Sequence, residues 1–381
     1  MNVYFLTFLI FGFFSFIEKE PKFEAQVVDD NVSIGYGLAI GDVDGDDKPD
    51  ILLADKKQFV WYRNGDWKRF VMVDNLTESD NVCIAARDID GDGKVEVAVG
   101  AQWNPGETSD TAKSGSVHYL IRPADPTTLW KPVKLYHEPT IHRMRWVRTT
   151  GNQFQLVVLP LHGRGNKNGE GESVNAIAYE MPKNPSATWK QEILNLSMHL
   201  THNLDVVADG NRELIYIGGK EGIKILGFEK GKWAPVTSGG WFVQGESFGE
   251  LRVGSTSKNV VAGIQPMHGN QLVLYSEKNK AARNVLTTSL NQGHALAHDD
   301  ILGVGHDQIV VGWREPDAEK KTGIKIFVRD PKGNQWNDFW IDENGMACED
   351  LQTADLNGDG KKDIIAAGRA THNLKIYWNK N

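Results

Sequence analysis

Histidine and arginine carry most of the chemistry this chain can offer. Eight of its 11 histidines, His142, His162, His199, His202, His268, His294, His298 and His372, fall in short segments, several of which also hold an arginine: Arg143, Arg145, Arg164 or Arg369. Imidazole exchanges protons near neutral pH and ligates transition metals. Guanidinium is a fixed positive charge that suits a carboxylate or an incipient enolate. Together they fit proton abstraction beside a carbonyl followed by elimination. No Gly-x-Ser-x-Gly elbow, phosphate-binding Gly loop or His-Glu-x-x-His helix is present. Paired acids for glycoside hydrolysis stay open, with Glu349, Asp350, Glu246 and Glu250 on the face expected to hold the histidines.

A second pattern is acidic and repeats. Asp42-Val-Asp-Gly-Asp-Asp-Lys-Pro-Asp50, Asp88-Ile-Asp-Gly-Asp-Gly-Lys-Val-Glu96 and Asp355-Leu-Asn-Gly-Asp-Gly-Lys-Lys-Asp363 are close copies. Oxygen side chains stand at positions one, three, five and nine of a Gly-tightened loop: Asp42, Asp44, Asp46 and Asp50; Asp88, Asp90, Asp92 and Glu96; Asp355, Asn357, Asp359 and Asp363. A hard cation such as Ca2+ is wrapped in this way, and its expected role is to staple a turn rather than to take part in chemistry. An EF-hand is excluded, because position twelve is Leu53, Val99 or Ala366, and an apolar strand follows each loop where a helix should start. The pattern resembles the FG-GAP or VCBS type of propeller repeat.

Seven units follow the same order of strands. Third strands end near Trp61-Tyr62, His118-Tyr119, Ala178-Tyr179, Ile225-Leu226, Leu274-Tyr275, Ile326-Phe327 and Tyr377-Trp378. Only six fourth strands are found, so Phe23 to Val28 is expected to supply the seventh and leave the ring without an open edge. The expected fold is all-β, a single seven-bladed β-propeller over residues 23–381 whose N-terminal strand completes the last blade. In that topology the start of each innermost strand and the end of each second strand share one face, and the acidic loops lie on the other. Counting six residues back from the first loop acid, or its equivalent, gives Tyr36, Val82, His142, His199, Phe248, His294 and Glu349. The second strands lead to Lys56, Gln102, His162, Lys220, His268 and Arg314, with Arg369 and His372 nearby.

The 381 residues carry a net charge of −8, which argues against a nucleic-acid partner. Val3 to Ile17 is almost wholly apolar. Its length suits a signal-peptide core within a leader over residues 1–20, so a periplasmic or secreted location is expected, with a membrane attachment only if the leader stays uncleaved. Two cysteines are too few for a disulfide framework.

Ile141-His-Arg-Met-Arg-Trp146, Leu159-Pro-Leu-His-Gly-Arg-Gly165, His199-Leu-Thr-His-Asn203, Gln265-Pro-Met-His-Gly-Asn270, Gly293-His-Ala-Leu296 and Gly368-Arg-Ala-Thr-His-Asn373 resemble segments of the VCBS-type propellers related to the propeller domain of aldos-2-ulose dehydratase. That resemblance implies a carbohydrate substrate and β-elimination from a keto-sugar or keto-glycoside, with a divalent transition metal such as Zn2+ polarising the ketone. His142 or His202 is then the base, with His162 and Arg164 completing the catalytic set. His199, His268 and His294 are the metal ligands expected at the channel mouth. Arg143, Lys220, His268, Arg314, Arg369, His372 and Trp103 are expected to bind substrate. Propeller lyases that cut ulvan are also similar, so a uronate-containing polysaccharide is an alternative substrate, and a sugar-binding propeller without catalysis is a third reading.

Overall fold

The computed structural model describes residues 20–381 except 237–239, 277–278 and 331–334, with the backbone alone for 279–281. Apart from Glu20, the expected leader lies outside the described residues. Every regular element among the described residues is a strand, and the strands form seven antiparallel sheets. The innermost strands are Gly37–Gly41, Cys83–Arg87, Ile141–Thr150, Thr201–Asp209, Leu251–Val253, Gly293–Asp299 and Cys348–Ala354. They open blades 1 to 7. Each touches the next around the ring, and the last returns to the first. The protein is a seven-bladed β-propeller.

The second strands explain why the sheets stack. Asp50–Ala54, Glu96–Ala101, Gln308–Trp313 and Asp363–Gly368 are buried along their whole length, as near-continuous apolar runs covered on both faces must be. The core is accordingly divided into wedges between blades. Leu52, Phe59 and Trp61 of blade 1 pack on Ile84, Val97 and Val99 of blade 2, and comparable clusters fill the remaining interfaces. Truncating one of these fully buried side chains to Ala should cost about 2–5 kcal/mol, because a wedge between two twisted sheets cannot collapse onto the hole.

Closure follows the expectation from strand counting. Phe23–Asp29 pairs antiparallel with Asn373–Asn379, Phe23 opposite Asn379 and Ala25 opposite Tyr377. Lys380 N–H donates to the Lys22 carbonyl at 2.9 Å, so the two ends of the propeller are fastened in one blade. Blade 4 differs from the expected plan, since Trp241–Gln244 adds a fifth strand beside Gly222–Glu229.

The acidic loops share one backbone scaffold. Asp42 accepts N–H bonds from Gly45 and Asp47, Asp88 from Gly91 and Gly93, and Asp355 from Gly358 and Gly360. The first glycine of each loop has φ between 75° and 84°, a left-handed conformation that a Cβ would strain. Asp300 of blade 6 caps Val304 and Gly305 in the same manner, but neutral Gln308 fills the place that Asp50, Glu96 or Asp363 occupies elsewhere. Ligand atoms of Asp42, Asp44 and Asp50, and of Asp88, Asp90 and Glu96, gather within 4.8 Å of one another. Asp46 pairs instead with Lys48 at 3.2 Å, and Asp92 with Arg122 at 3.3 Å.

Candidate functional site

Four innermost strands begin with a β-bulge, and the bulged residue is His142, His202, His294 or Glu349. A bulge leaves one residue unpaired and re-aims its side chain, which is how separate blades can turn imidazoles toward a common point. His268 follows the end of a second strand, Val260–Gln265, in a left-handed backbone conformation (φ 51°). The ring centroids of His142 and His202 are 4.6 Å apart, those of His202 and His268 4.7 Å, and those of His268 and His294 4.9 Å. Trp103 packs on His142 at 5.1 Å.

Each blade fixes the tautomer of its neighbour's histidine. His142 Nδ1–H donates to the His202 carbonyl at 2.7 Å, His202 Nδ1–H to the Gly249 carbonyl at 3.1 Å and His294 Nδ1–H to the Glu349 carbonyl at 2.5 Å. A carbonyl can only accept, so in the neutral ring Nδ1 carries the proton and Nε2 the lone pair in all three. His202 Nε2 faces His268 Nε2 at 2.8 Å, which requires the proton between them to come from His268. His202, His268 and His294 place one ring nitrogen each within 4.8 Å of the others. Neutral imidazoles are donors that a Zn2+-like cation takes, and two of the three, His202 and His294, have the far nitrogen clamped by a backbone carbonyl, so the residues fit the metal.

Burial is the first cause of charge suppression here. It holds His142 and His294 well below the ordinary imidazole range, with Arg143 and Arg314 respectively adding to the effect. His268 is pushed down to about 3 by burial, then His202 and Arg314. Burial lowers His202 as well, but buried Glu250 opposes it from behind, with Oε1 3.3 Å from Nδ1. Burial works against the Glu250 carboxylate, yet His202, Arg252 and Arg143 hold it at about 2. Its Oε2 accepts from Asn203.

Some expected residues do not reach this cluster. His199 turns to Glu221, its Nδ1 2.7 Å from Oε1, and is not among the three gathered ligands; His202 takes the place expected for it. The backward count fails in blade 4 because Asp205 lies within a strand that runs on to Asp209 and a tight turn, instead of opening an acidic loop. His162 is half-buried beside Asn166, and Arg164 is bound to buried Glu138 at 2.9 Å. The arginines whose charge acts on the clustered histidines are Arg143 and Arg314, which the sequence marks for substrate binding alone. Lys220 bonds the Gly169 carbonyl, His372 caps Val32 and Ser33, and Arg369 binds Glu349 at 3.1 Å with its guanidinium 5.6 Å from the Tyr36 ring. The carboxylates that hold these groups in place, Glu138 and Glu221, escape sequence reasoning, since neither lies in a motif.

Residues 114–278 match the family model for the aldos-2-ulose dehydratase β-propeller domain, and residues 34–99 match an FG-GAP-like repeat. The first span includes His142, His202 and His268 and stops before His294. No curated protein matches the chain. Among solved structures, a chain in "Crystal Structure of Mitotic Checkpoint Complex" superposes with a TM-score of 0.58 at 11% identity, covering 100% of this chain and 97% of its own. A chain in the crystal structure of BBS1N in complex with ARL6DN gives 0.55 at 13%, covering 95% and 97%. At such identities the likeness is one of fold alone.

Proposed function

We propose that the protein is a carbohydrate lyase that eliminates water or an alkoxide β to the carbonyl of a keto-sugar or keto-glycoside. The observation that carries this reading is the convergence of His142, His202, His268 and His294 from separate blades, with three Nδ1 atoms clamped so that Nε2 faces outward from the backbone. The match of residues 114–278 to the aldos-2-ulose dehydratase propeller supports the substrate class.

His142 is the base. It stands outside the three-histidine set, is neutral at working pH and keeps its Nε2 lone pair, so it can take the proton α to the carbonyl. The negative charge that develops on the substrate is met by Arg143, which has no carboxylate within 4.0 Å among the described residues, and by Arg314. Trp103, packed on His142, offers an apolar wall for a sugar ring. A divalent metal on His202, His268 and His294 would supply Lewis acidity to the sugar ketone when bound. In the metal-free arrangement the Nε2–H of neutral His268, the shared proton of the cluster, hydrogen-bonds the leaving oxygen, and the proton that His142 takes from the α carbon is the one returned to that oxygen.

A second reading, elimination next to a uronate, is favoured by one feature: Arg143, which makes no direct ion pair among the described residues, would bind the substrate carboxylate. Incubation with keto-glycosides and, separately, with ulvan-type uronates, followed in the ultraviolet, distinguishes the two. An enone band from the first supports the proposed activity. An unsaturated uronate from the second selects the alternative, and no new absorbance from either, with glycan binding retained, would leave a binding protein.

A further inference from the structure

Away from the histidine cluster, the far ends of the innermost strands line two further cavities. One of about 340 Å³ is bordered by Arg252, Lys258, His298 and Asp299, and another of about 340 Å³ by Arg87 and Arg145. They share Val206, Gln352 and Thr353, so they form one vestibule, opposite the bulged histidines.

The charges in this vestibule are unevenly satisfied. Asp205 accepts from the Val206 and Val253 amides, and Asp299 from Asp300 N–H, Thr353 Oγ1 and Lys362. Arg87 holds Glu213 through two nitrogens, at 2.8 and 2.9 Å. Arg145 differs. Its Nη1 donates to the Met144 carbonyl at 2.8 Å, and no carboxylate lies within 4.0 Å of it among the described residues. After burial, the strongest influence on Arg145 is the like charge of Arg252, which opposes its ionisation; Asp350 and Asp205 offset this from beyond ion-pair distance. Gln352, which borders both cavities, makes no side-chain hydrogen bond among the described residues. Arg252 is compensated, its Nη1 lying 3.4 Å from the buried Glu250 carboxylate. A guanidinium presents five N–H donors in a rigid fork, so one that borders a cavity without a carboxylate partner is satisfied by an anion there.

We propose that this vestibule is an oxyanion-binding site, in which Arg145 with the Gln352 amide holds a compact phosphate or carboxylate group. The site is separate from the proposed elimination centre and does not depend on it. The two anion sources are distinguished by titrating the full-length protein calorimetrically with inorganic phosphate, sulfate and acetate, against chloride at equal ionic strength. The expected result is saturable binding of at least one oxyanion and none of chloride. Arg145→Gln should weaken it by roughly tenfold or more, Arg145→Lys by less, and Arg314→Gln on the histidine face should leave it unchanged. Binding indistinguishable from chloride, or an unchanged affinity in Arg145→Gln, overturns the site. Should Arg145→Gln fail to fold, Gln352→Ala carries the same comparison: weaker binding supports the site and unchanged binding overturns it.

Discussion

His142 reaches across a blade boundary to donate its Nδ1–H to the carbonyl of His202, 2.7 Å away, so the first ring is oriented by the backbone that carries the second. The same device recurs from His202 to Gly249 and from His294 to Glu349. Blade packing and imidazole orientation are therefore one structural problem, solved by the bulge at the start of each of these strands.

A first prediction separates the clustered residues from those that resemble them only in sequence. His142→Ala should lower turnover by about 10²- to 10⁴-fold, as loss of a general base does. Arg143→Gln should cost about 10²-fold or more through lost stabilisation of developing charge. Arg164→Gln, whose guanidinium is already bound to Glu138, should change turnover far less. Initial rates of enone formation, with circular dichroism as the fold control, make the comparison; equal losses in Arg143 and Arg164 variants would contradict the assignment.

Gly249 offers a test that touches no ionisable group. A Cβ there would lie 3.0 Å from the His268 amide nitrogen and 3.1 Å from the Met267 Cα, so the backbone carrying His268 has to move. Gly249→Ala should therefore lower stability by about 1–3 kcal/mol, as overpacking does. It should also weaken Zn2+ binding, because His268 is displaced from His202. Zn2+ titration beside a denaturant melt reads both effects, and a stable variant with unaltered metal affinity would show that His268 is not held by this contact.

The blade count, the closing strand and the acidic scaffold are all legible in the chain, because repeated loops and aromatic-ended strands are local signals. A backward count of six residues also reaches His294 from Asp300, which opens a genuine loop in blade 6, and His142 from Arg148 in blade 3. Blade 4 misleads, because Asp205 looks like a loop acid while its carboxylate is spent on the Val206 and Val253 amides. The strands of blades 3 and 4 begin at Ile141 and Thr201, so the true counterpart of Arg148 is Ala208, an apolar residue that carries no loop signal. From Ala208 the same count lands on His202 rather than His199. Arg164 lies outside the cluster for a different reason: proximity to His162 in sequence says nothing of Glu138, which lies 26 residues earlier and binds it.

The pH dependence of stability should carry the signature of His118. This blade 2 side chain is buried, its Nδ1 has no hydrogen-bond partner among the described residues, and burial followed by Lys134 pushes it down to about 4. Its folded value lies below the unfolded one of 6.5. The unfolded chain therefore binds more protons between those two values, and the neutral ring's contribution is complete above the upper one and lost as pH falls toward the lower. The contribution is at most about 3 kcal/mol. Urea melts from pH 7 down to 4 should show a shallower acid loss in His118→Gln than in the native chain, and parallel curves would remove His118 as the cause.

The acidic loops make an opposite prediction. Burial raises Asp50 and Glu96 to about 7, each above its unfolded value. Without a cation, these carboxylates favour the fold while protonated, and that contribution is lost as pH rises through 7. Ca2+ bound by Asp42, Asp44 and Asp50, and by Asp88, Asp90 and Glu96, needs both groups ionised, so its uptake should release protons near neutral pH. The stabilisation by Ca2+ should therefore be larger at pH 8 than at pH 6, reaching about 2.7 kcal/mol at a hundredfold excess over the dissociation constant of one site. Thermal melts with Ca2+ or EGTA at the two pH values test the size. Calorimetry in buffers of different ionisation enthalpy tests the proton release; binding without any buffer dependence would mean that Asp50 and Glu96 are already ionised before the ion arrives.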